Sequence, residues 1–520
     1  MLKKFILFSL FATACFADFV WSPPLDLPQS GTNAFGKVAV NDNMAIAVWA
    51  SDDGSQHTVA ATISNDGGTT WSGPITLSET TPGVNSSSPE VDINVNNEIV
   101  VCWKKDDGAG NIITQVIGSN NGGSSWAGPF DLNPTPPPAP NAQLARIAIN
   151  DNGVAFCVWY NDNHLGLWNI EATYTNNIMA PWPPGALSVI SDGVNNCNNP
   201  EITISSNANY MTACSWTNNG LGQVETRVFD SSLGIWVPPA PVAQGASSYA
   251  STIAINNSNN MIVTWMEPSG GFNVIRASTS TDGVVWVPSP SNPLSDPTEH
   301  SFYPSVALNS SGNAIVTWNR GPVPTSSIYG ATSSDNGNNW TPWFPVSNIG
   351  SLCIYPHVKL NDAGEAVCIY QSGFSSVVHA STSLDSGATW TPQIDLSVPG
   401  GNTSVVDLAP NGNTVGIWHN GGLIQIAYSP FSPFSLSYTK ATTKLLLQRD
   451  NTVELIWSPV SEAVLYRIYE DYPFQNYIYS GKNNYFVVHG LEKGETKKYY
   501  FSWIKSDGTE SAAEEVVITY

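Results

Sequence analysis

A short apolar strand ending in an aromatic residue occurs eight times along this chain, at Trp49, Trp103, Trp159, Trp216, Trp265, Trp318, Tyr370 and Trp418. Successive copies are 54, 56, 57, 49, 53, 52 and 48 residues apart. Runs such as Ala45-Ile46-Ala47-Val48-Trp49 and Ala314-Ile315-Val316-Thr317-Trp318 are nearly continuous in apolar character. A strand covered on both faces has that character, whereas a half-exposed strand alternates. Each run follows another strand and a tight Asn/Asp/Gly turn, as in Val38-Ala39-Val40-Asn41-Asp42-Asn43, which is hairpin chemistry. A second Trp series interleaves with the first: Trp21, Trp71, Trp126, Trp182, Trp236, Trp286, Trp340 and Trp390. Most of its members precede a proline and a short strand. The two series absorb 15 of the 19 Trp, so most of the indole content is architectural. Each unit then holds about four strands and no helical period. Repeats of this length, burying their faces against one another, describe an all-β chain: a β-propeller of about eight four-stranded blades. The last unit shows three strands, and Trp21-Ser22-Pro23-Pro24-Leu25-Asp26-Leu27 resembles an outer strand without its blade. Pairing the two would close the ring and remove an exposed edge. Pro433-Phe434-Ser435-Leu436-Ser437 competes for the same slot.

Charge narrows the class of partner. The chain of 520 residues carries 19 Lys and Arg against 41 Asp and Glu, a net charge of −22. Such a balance repels nucleic acid and anionic lipid. Residues 1–17 read as a secretory signal: Lys3 and Lys4, an apolar run from Phe5 to Ala12, and Cys15-Phe16-Ala17 before the cut. A lipoprotein reading, with Cys15 as the lipidated residue, stays open beside it. The chain is therefore expected to be secreted or held at the cell surface. No later run is long enough for a membrane helix.

The turns before the second Trp series carry a family resemblance. Ser64-Asn65-Asp66-Gly67-Gly68-Thr69-Thr70-Trp71 reads S-x-D-x-G-x-x-W, and so do the segments Ser333 to Trp340 and Ser383 to Trp390, with Asp335 and Asp385. This pattern resembles the Asp-box, or BNR repeat, of sialidase-like propellers, across residues 18–432. The resemblance implies a structural part for Asp66, Asp335 and Asp385, on the face away from the ligand. Residues 433–520 are different. Leu455-Ile456-Trp457, Tyr466-Arg467-Ile468-Tyr469, and Leu491 followed by Tyr499 resemble a fibronectin type III domain, which implies a C-terminal β-sandwich.

In the sialidase topology, the loops before each first strand and after each second strand converge over the central channel. Glu90 and Glu201 follow Pro89 and Pro200 at the start of a first strand, and Tyr249, Tyr303 and Tyr355 stand in comparable places. Arg320 follows a second strand. Carboxylates and tyrosines in a ring suit sugar hydroxyls and sugar faces, or the acid and nucleophile of a glycosidase. Solvated loop charge and proline-packed tyrosine is the competing explanation. Sialidases hold a substrate carboxylate with three arginines and carry an early F/Y-R-I-P motif. Here that motif is absent, and the propeller holds only Arg146, Arg227, Arg276 and Arg320.

The seven His show no metal-ligand spacing, so neither a metal nor a cofactor is expected. Asp-Asp-Gly at 52–54 and 106–108 reads as turn chemistry before it reads as a calcium loop. Cys197 and Cys353 each share a hairpin with Cys214 or Cys368, which raises two within-blade disulfides, although the partners fall out of direct opposition.

The leading expectation is a binding protein whose propeller face recognises a glycan or a protein, with the fibronectin-like module as spacer or adhesive unit. An exo-glycosidase of sialidase type and a structural envelope protein are the alternatives.

Overall fold

The computed structural model describes residues 19, 21–29, 31–133, 141–162, 166–183, 186–242, 247–321, 325–350, 352–373, 376–429 and most of 436–519. The expected signal at 1–17, with Cys15, lies outside them, as does Leu491. The described residues hold no helix long and apolar enough to cross a membrane. Two compact units result, Val20–Pro430 and one made by residues 431–520.

The first unit is a propeller of eight antiparallel sheets in chain order. Blades 1 to 7 run over residues 32–76, 85–131, 142–189, 197–236, 249–288, 301–345 and 353–395. Blade 4 gains a fifth short strand, Ala240–Pro241. Blade 8 takes three strands from residues 401–429, and its outer strand is Leu25–Asp26. Leu25 lies opposite Ile426 and Asp26 opposite Gln425. The backbone amide of Ser22 donates to the Tyr428 carbonyl at 2.8 Å, and Gln29 clasps Ile424 through both its amide groups. The ends of the ring are thus joined by the N-terminal segment, whereas Leu436 and Ser437 belong to a strand of the second unit.

Every second strand is buried on both faces, and the eight aromatics that end them are all buried. Five indoles are also anchored by hydrogen bonds. Trp103, Trp159, Trp216 and Trp418 donate to Gln115, Glu171, Glu225 and Gln425, their register partners on the third strand. Trp265 donates instead to Glu267 on its own strand, which is also paired with Arg276. Glu171, Glu225 and Glu267 thus serve as acceptors for core indoles.

The S-x-D-x-G-x-x-W turns are closed by hydrogen bonds of their own. Ser64 Oγ donates to Asp66 at 2.7 Å, and Asp66 accepts the Thr70 amide at 2.8 Å and the Thr70 hydroxyl at 2.6 Å. The Trp71 indole donates to the Gly68 carbonyl. Asp335 and Asp385 repeat the arrangement with Trp340 and Trp390. Gly68 lies at φ +102, and a Cβ there would meet Val415 of blade 8 at 2.7 Å, so the position needs glycine for both reasons.

A second ring device runs through the turns between first and second strands. Asn41, Asn94, Asn150, Asn256, Asn309 and Asn361 are buried. Each donates its Nδ2 to the backbone carbonyl at the equivalent place in the next blade: Asn94, Asn150, Ser205, Asn309, Asn361 and Ala409 respectively. The Oδ1 of each accepts amides of its own turn. One amide side chain therefore caps a hairpin and fastens two blades, six times around the ring.

The second unit has one sheet of three strands, Leu436–Leu445, Gln448–Trp457 and Tyr485–His489. A second sheet has four, in the order Tyr477–Gly481, Ala463–Glu470, Thr496–Lys505 and Glu514–Thr519. Leu455, Ile468, Tyr469, Tyr499 and Phe501 are buried in it.

Cys197, Cys214, Cys353 and Cys368 are thiols, so the two disulfides are not formed. Register explains it. Cys197 lies opposite Asn218 and Cys214 opposite Ile202, while Cys353 lies opposite Ser372 and Cys368 opposite Val358. Each pair shares a hairpin core but not a rung, so the Cβ atoms are not presented to each other. Burial pushes the Cys197 and Cys368 thiols up to about 12, which keeps them protonated and unreactive.

Candidate functional site

The first strands line the central channel, and each is interrupted at the same place by a bulge. The register slips between residues 34 and 37, 87 and 90, 143 and 146, 198 and 201, 249 and 252, 302 and 305, 354 and 357, and 402 and 405. The residue inside each slip has a left-handed backbone: Phe35, Ser88, Leu144, Asn199, Ala250, Tyr303, Tyr355 and Thr403, all with φ between 50° and 56°. A bulge bends the strand and re-aims its side chains. Here it leaves Phe35, Tyr303 and Tyr355 exposed outside the channel, while Ala250 packs against the core. The residue two positions on faces the channel about 7 Å deeper, at roughly 3.4 Å per residue.

The expected site residues therefore fall at two levels. Tyr303 and Tyr355 are bulge residues, and Tyr249 precedes the bulge of blade 5. The rings of Tyr303 and Tyr355 are 4.7 Å apart and tilted by 58°. Tyr249, Tyr303 and Tyr355 are 37%, 45% and 48% exposed, so the three phenols form an open aromatic rim on blades 5 to 7. Asn273 donates to the Tyr249 hydroxyl. Burial first, and then the Tyr355 and Tyr249 phenols, push the Tyr303 hydroxyl above its ordinary value and keep it a neutral donor.

Glu90 and Glu201 lie one layer down. They belong with Lys37, Arg146, Thr252, Ser305, His357 and Val405, the residues that follow the eight bulges. Lys37 pairs with Glu90 at 3.0 Å, and Arg146 pairs with Glu90 at 2.9 Å and with Glu201 at 3.1 Å. Blades 1 to 4 thus carry a balanced chain of two cations and two anions. Blades 5 to 8 complete the layer with neutral groups. Burial, together with Lys359 and Lys37, depresses His357 to about 3, so its imidazole carries no charge. The channel encloses about 480 Å³.

A third layer fastens neighbouring first strands. Asp92 accepts the Ile149 amide of blade 3 at 2.9 Å, and Asp407 accepts the Val40 amide of blade 1 at 2.8 Å. Lys359 pairs with Asp407 at 2.9 Å. Its side chain is still 42% accessible, because the channel admits water while protein surrounds it on every side. Burial first, opposed by the Ile149 amide, and then nearby Asp407 raise Asp92 to about 7.

Arg320 does not join the tyrosines. Its guanidinium is ion-paired with Asp296 and with Glu299 and stacks over Trp343 at 4.0 Å and Tyr329 at 4.8 Å, beside the third strand of its own blade. The other propeller arginines are equally occupied. Arg227 donates to the carbonyls of Val237 and Val189, and Arg276 pairs with Glu267. The four guanidinium groups sit in four successive blades and share no partner.

Asp52, Asp53, Asp106 and Asp107 cap their own turns, accepting the amides of Gly54, Ser55, Gly108 and Ala109. Among the described residues no group of three or more His, Cys, Asp or Glu is placed to hold a metal ion.

Sequence reasoning missed the eightfold bulge and the channel salt-bridge chain. Proline one residue after the bulge in blades 2, 4, 6 and 7 was the visible trace of the first. The second required knowing which first-strand residues share a layer.

No family model matches the chain, and a search of curated proteins finds no match. Among solved structures it is similar to a protein of unknown function from Dyadobacter fermentans, at 14% identity over 78% of this chain and 97% of that one, with a TM-score of 0.37. It is also similar to a polysaccharide lyase of family PL25, an ulvan lyase, at 10% identity over 72% and 98%, with a TM-score of 0.43. The NanB sialidase of Streptococcus pneumoniae aligns at 12% identity over 78% and 69%, with a TM-score of 0.33.

Proposed function

We propose that this chain is an exported carbohydrate-binding protein. Its glycan-contacting surface is the tyrosine rim, it is a sialidase-like Asp-box propeller by descent, and residues 433–520 form a fibronectin type III-like spacer. The observation that carries this reading is the Tyr303–Tyr355 pair, half exposed on left-handed backbone. Such a backbone is costly for a bulky residue. The bulge itself does not call for an aromatic, since other blades place Ser88, Asn199, Ala250 and Thr403 there. Two exposed aromatics adopted against conformational and hydration costs suit the apolar face of a pyranose, with phenol hydroxyls and Asn273 at its edge.

The charge balance of the channel favours a neutral sugar. Lys37, Arg146, Glu90 and Glu201 neutralise one another, which leaves no free guanidinium for a substrate carboxylate. The four dispersed arginines weigh against a sialidase for the same reason. A glycan array carrying neutral, sialylated and uronate-bearing oligosaccharides tests the reading. Capture confined to neutral glycans supports it. Preference for sialylated glycans overturns the ligand class, and capture of none favours a structural envelope role.

A further inference from the structure

A second concavity opens on the same face between blades 1 and 2, and the tyrosine rim does not reach it. It encloses about 420 Å³, and its lining includes Phe35, Asp52, His57, Ser87, Lys104 and Asp106. Phe35 is the bulge residue of blade 1, at φ 56, and it is 51% exposed. The paradox of Tyr303 and Tyr355 is repeated here: an open aromatic ring held on backbone that disfavours it, where blade 4 manages with Asn199. The rim is polar and has spare capacity. One oxygen of Asp106 caps Gly108, and one oxygen of Asp52 caps Gly54 while the other stands 3.9 Å from His57. Lys104 reaches Gln143 at 3.4 Å. Two carboxylates against one ammonium leave the pocket acidic, in a chain of net charge −22.

We propose that this pocket is a second carbohydrate subsite, for a neutral or N-acetylated hexose stacked on Phe35 with its hydroxyls donating to Asp52 and Asp106. An acidic rim excludes sialic acids, uronates and phosphates. The subsite is separated from the tyrosine blades by blade 8 on one side and by blades 3 and 4 on the other. The two sites therefore engage different parts of one long glycan or two chains of a surface, and gain by effective concentration.

The test is isothermal titration of the full chain with chitohexaose, xylohexaose and maltohexaose in turn. The variants are Phe35→Asn, Asp106→Asn and the double variant Tyr303→Ala/Tyr355→Ala. Phe35→Asn places in blade 1 the residue that blade 4 carries at the equivalent backbone, so its thermal midpoint should match that of the wild type. With at least one of these sugars, two sites per chain are expected. Phe35→Asn should remove one of them, Asp106→Asn should weaken the same one at least tenfold, and the tyrosine variant should leave it intact. A single site abolished by Phe35→Asn and indifferent to the tyrosines would support the subsite while refuting the tyrosine rim. Binding unchanged by Phe35→Asn and Asp106→Asn, or no binding of any of the three sugars, overturns the proposal.

Discussion

Replacing Asn309 by Ala tests whether the asparagine ring holds the blades together. Asn309 is 3% exposed. Its Nδ2 donates to the Asn361 carbonyl of blade 7 at 3.1 Å, and its Oδ1 accepts the Asn313 amide of its own turn at 2.9 Å. Alanine removes both bonds, each worth about 1 kcal/mol net. The Asn361 carbonyl keeps the Gly364 amide, so it is not orphaned. The Asn313 amide does lose this partner in a part-buried turn, where an unsatisfied donor costs up to about 1–3 kcal/mol. The expected destabilisation is therefore about 2–4 kcal/mol. Unfolding entropy of about 2.1 cal/mol/K per residue over a ring of about 400 residues converts this to a fall in Tm of about 2–5 °C. Asn309→Asp sharpens the test, because it keeps the acceptor but sets an oxygen anion against the Asn361 carbonyl. At neutral pH it should destabilise at least as much as alanine. Burial raises such a carboxyl, and once protonated it can donate to the carbonyl as the amide does, so acidification should recover part of the loss. Differential scanning calorimetry at neutral and mildly acidic pH reads both effects. A midpoint within about 1 °C of the wild type for Asn309→Ala, or Asp and Ala variants that behave alike at every pH, would refute the reasoning.

Three other perturbations follow from the same contacts. Deleting residues 18–30 removes the outer strand of blade 8 and exposes the edge of Leu423–Ser429. It should lower the thermal midpoint of the whole ring, and an unchanged midpoint would contradict closure by this segment. Arg146→Ala leaves Glu90 with Lys37 alone and Glu201 with no cation in a channel that admits water, so denaturant unfolding should show a loss of about 1.5–3 kcal/mol. The channel also sets pH dependence. Asp92, raised from 3.8 to about 7, binds its proton more tightly when folded, so its contribution favours folding increasingly as pH falls from about 7 to 3.8. His357, depressed from 6.5 to about 3, works in the opposite sense, and its contribution is lost as pH falls below 6.5. The two slopes oppose each other between 3.8 and 6.5. Asp92→Asn should steepen acid destabilisation and His357→Phe should lessen it, and equal slopes in both variants would exclude this account.

The architecture was legible because its signals are local and repeated. The buried second strands announced themselves as continuous apolar runs, Asp66, Asp335 and Asp385 through a fixed turn pattern, and the closing strand as an orphan around Trp21. The site was less legible because it depends on level within the channel. Glu90 and Tyr303 were both expected at the start of a first strand, yet Glu90 lies past the bulge of Asn85–Ile93 and Tyr303 within the bulge of Ser301–Leu308, so one joins a salt-bridge chain and the other the rim. Arg320 was expected to follow a second strand, and it is instead the last residue of one, Ala314–Arg320. What turned it from the channel was Asp296 and Trp343, which lie 24 residues before it and 23 after it and carry no mark of that contact in the sequence. The disulfide expectation failed for the converse reason. The offset between the two cysteines of each hairpin was already countable in the sequence, and the register confirms it: Cys197 faces Asn218 and Cys353 faces Ser372.

In the proposed function Tyr303 and Tyr355 contact glycan and do not hold the fold. The most direct measurement pairs two readouts on the Tyr303→Ala/Tyr355→Ala variant: Kd for the neutral oligosaccharide captured most strongly by the wild type on the array, and Tm. Ala250 already occupies the equivalent left-handed position in blade 5, so the backbone accepts alanine. The account predicts Kd weakened about tenfold or more at the tyrosine rim, which corresponds to about 1.4 kcal/mol, with Tm almost unchanged. An unchanged Kd with stability reduced by about 3–5 kcal/mol, as truncation of a core aromatic typically costs, would show that the tyrosines are packing residues and contradict the claim.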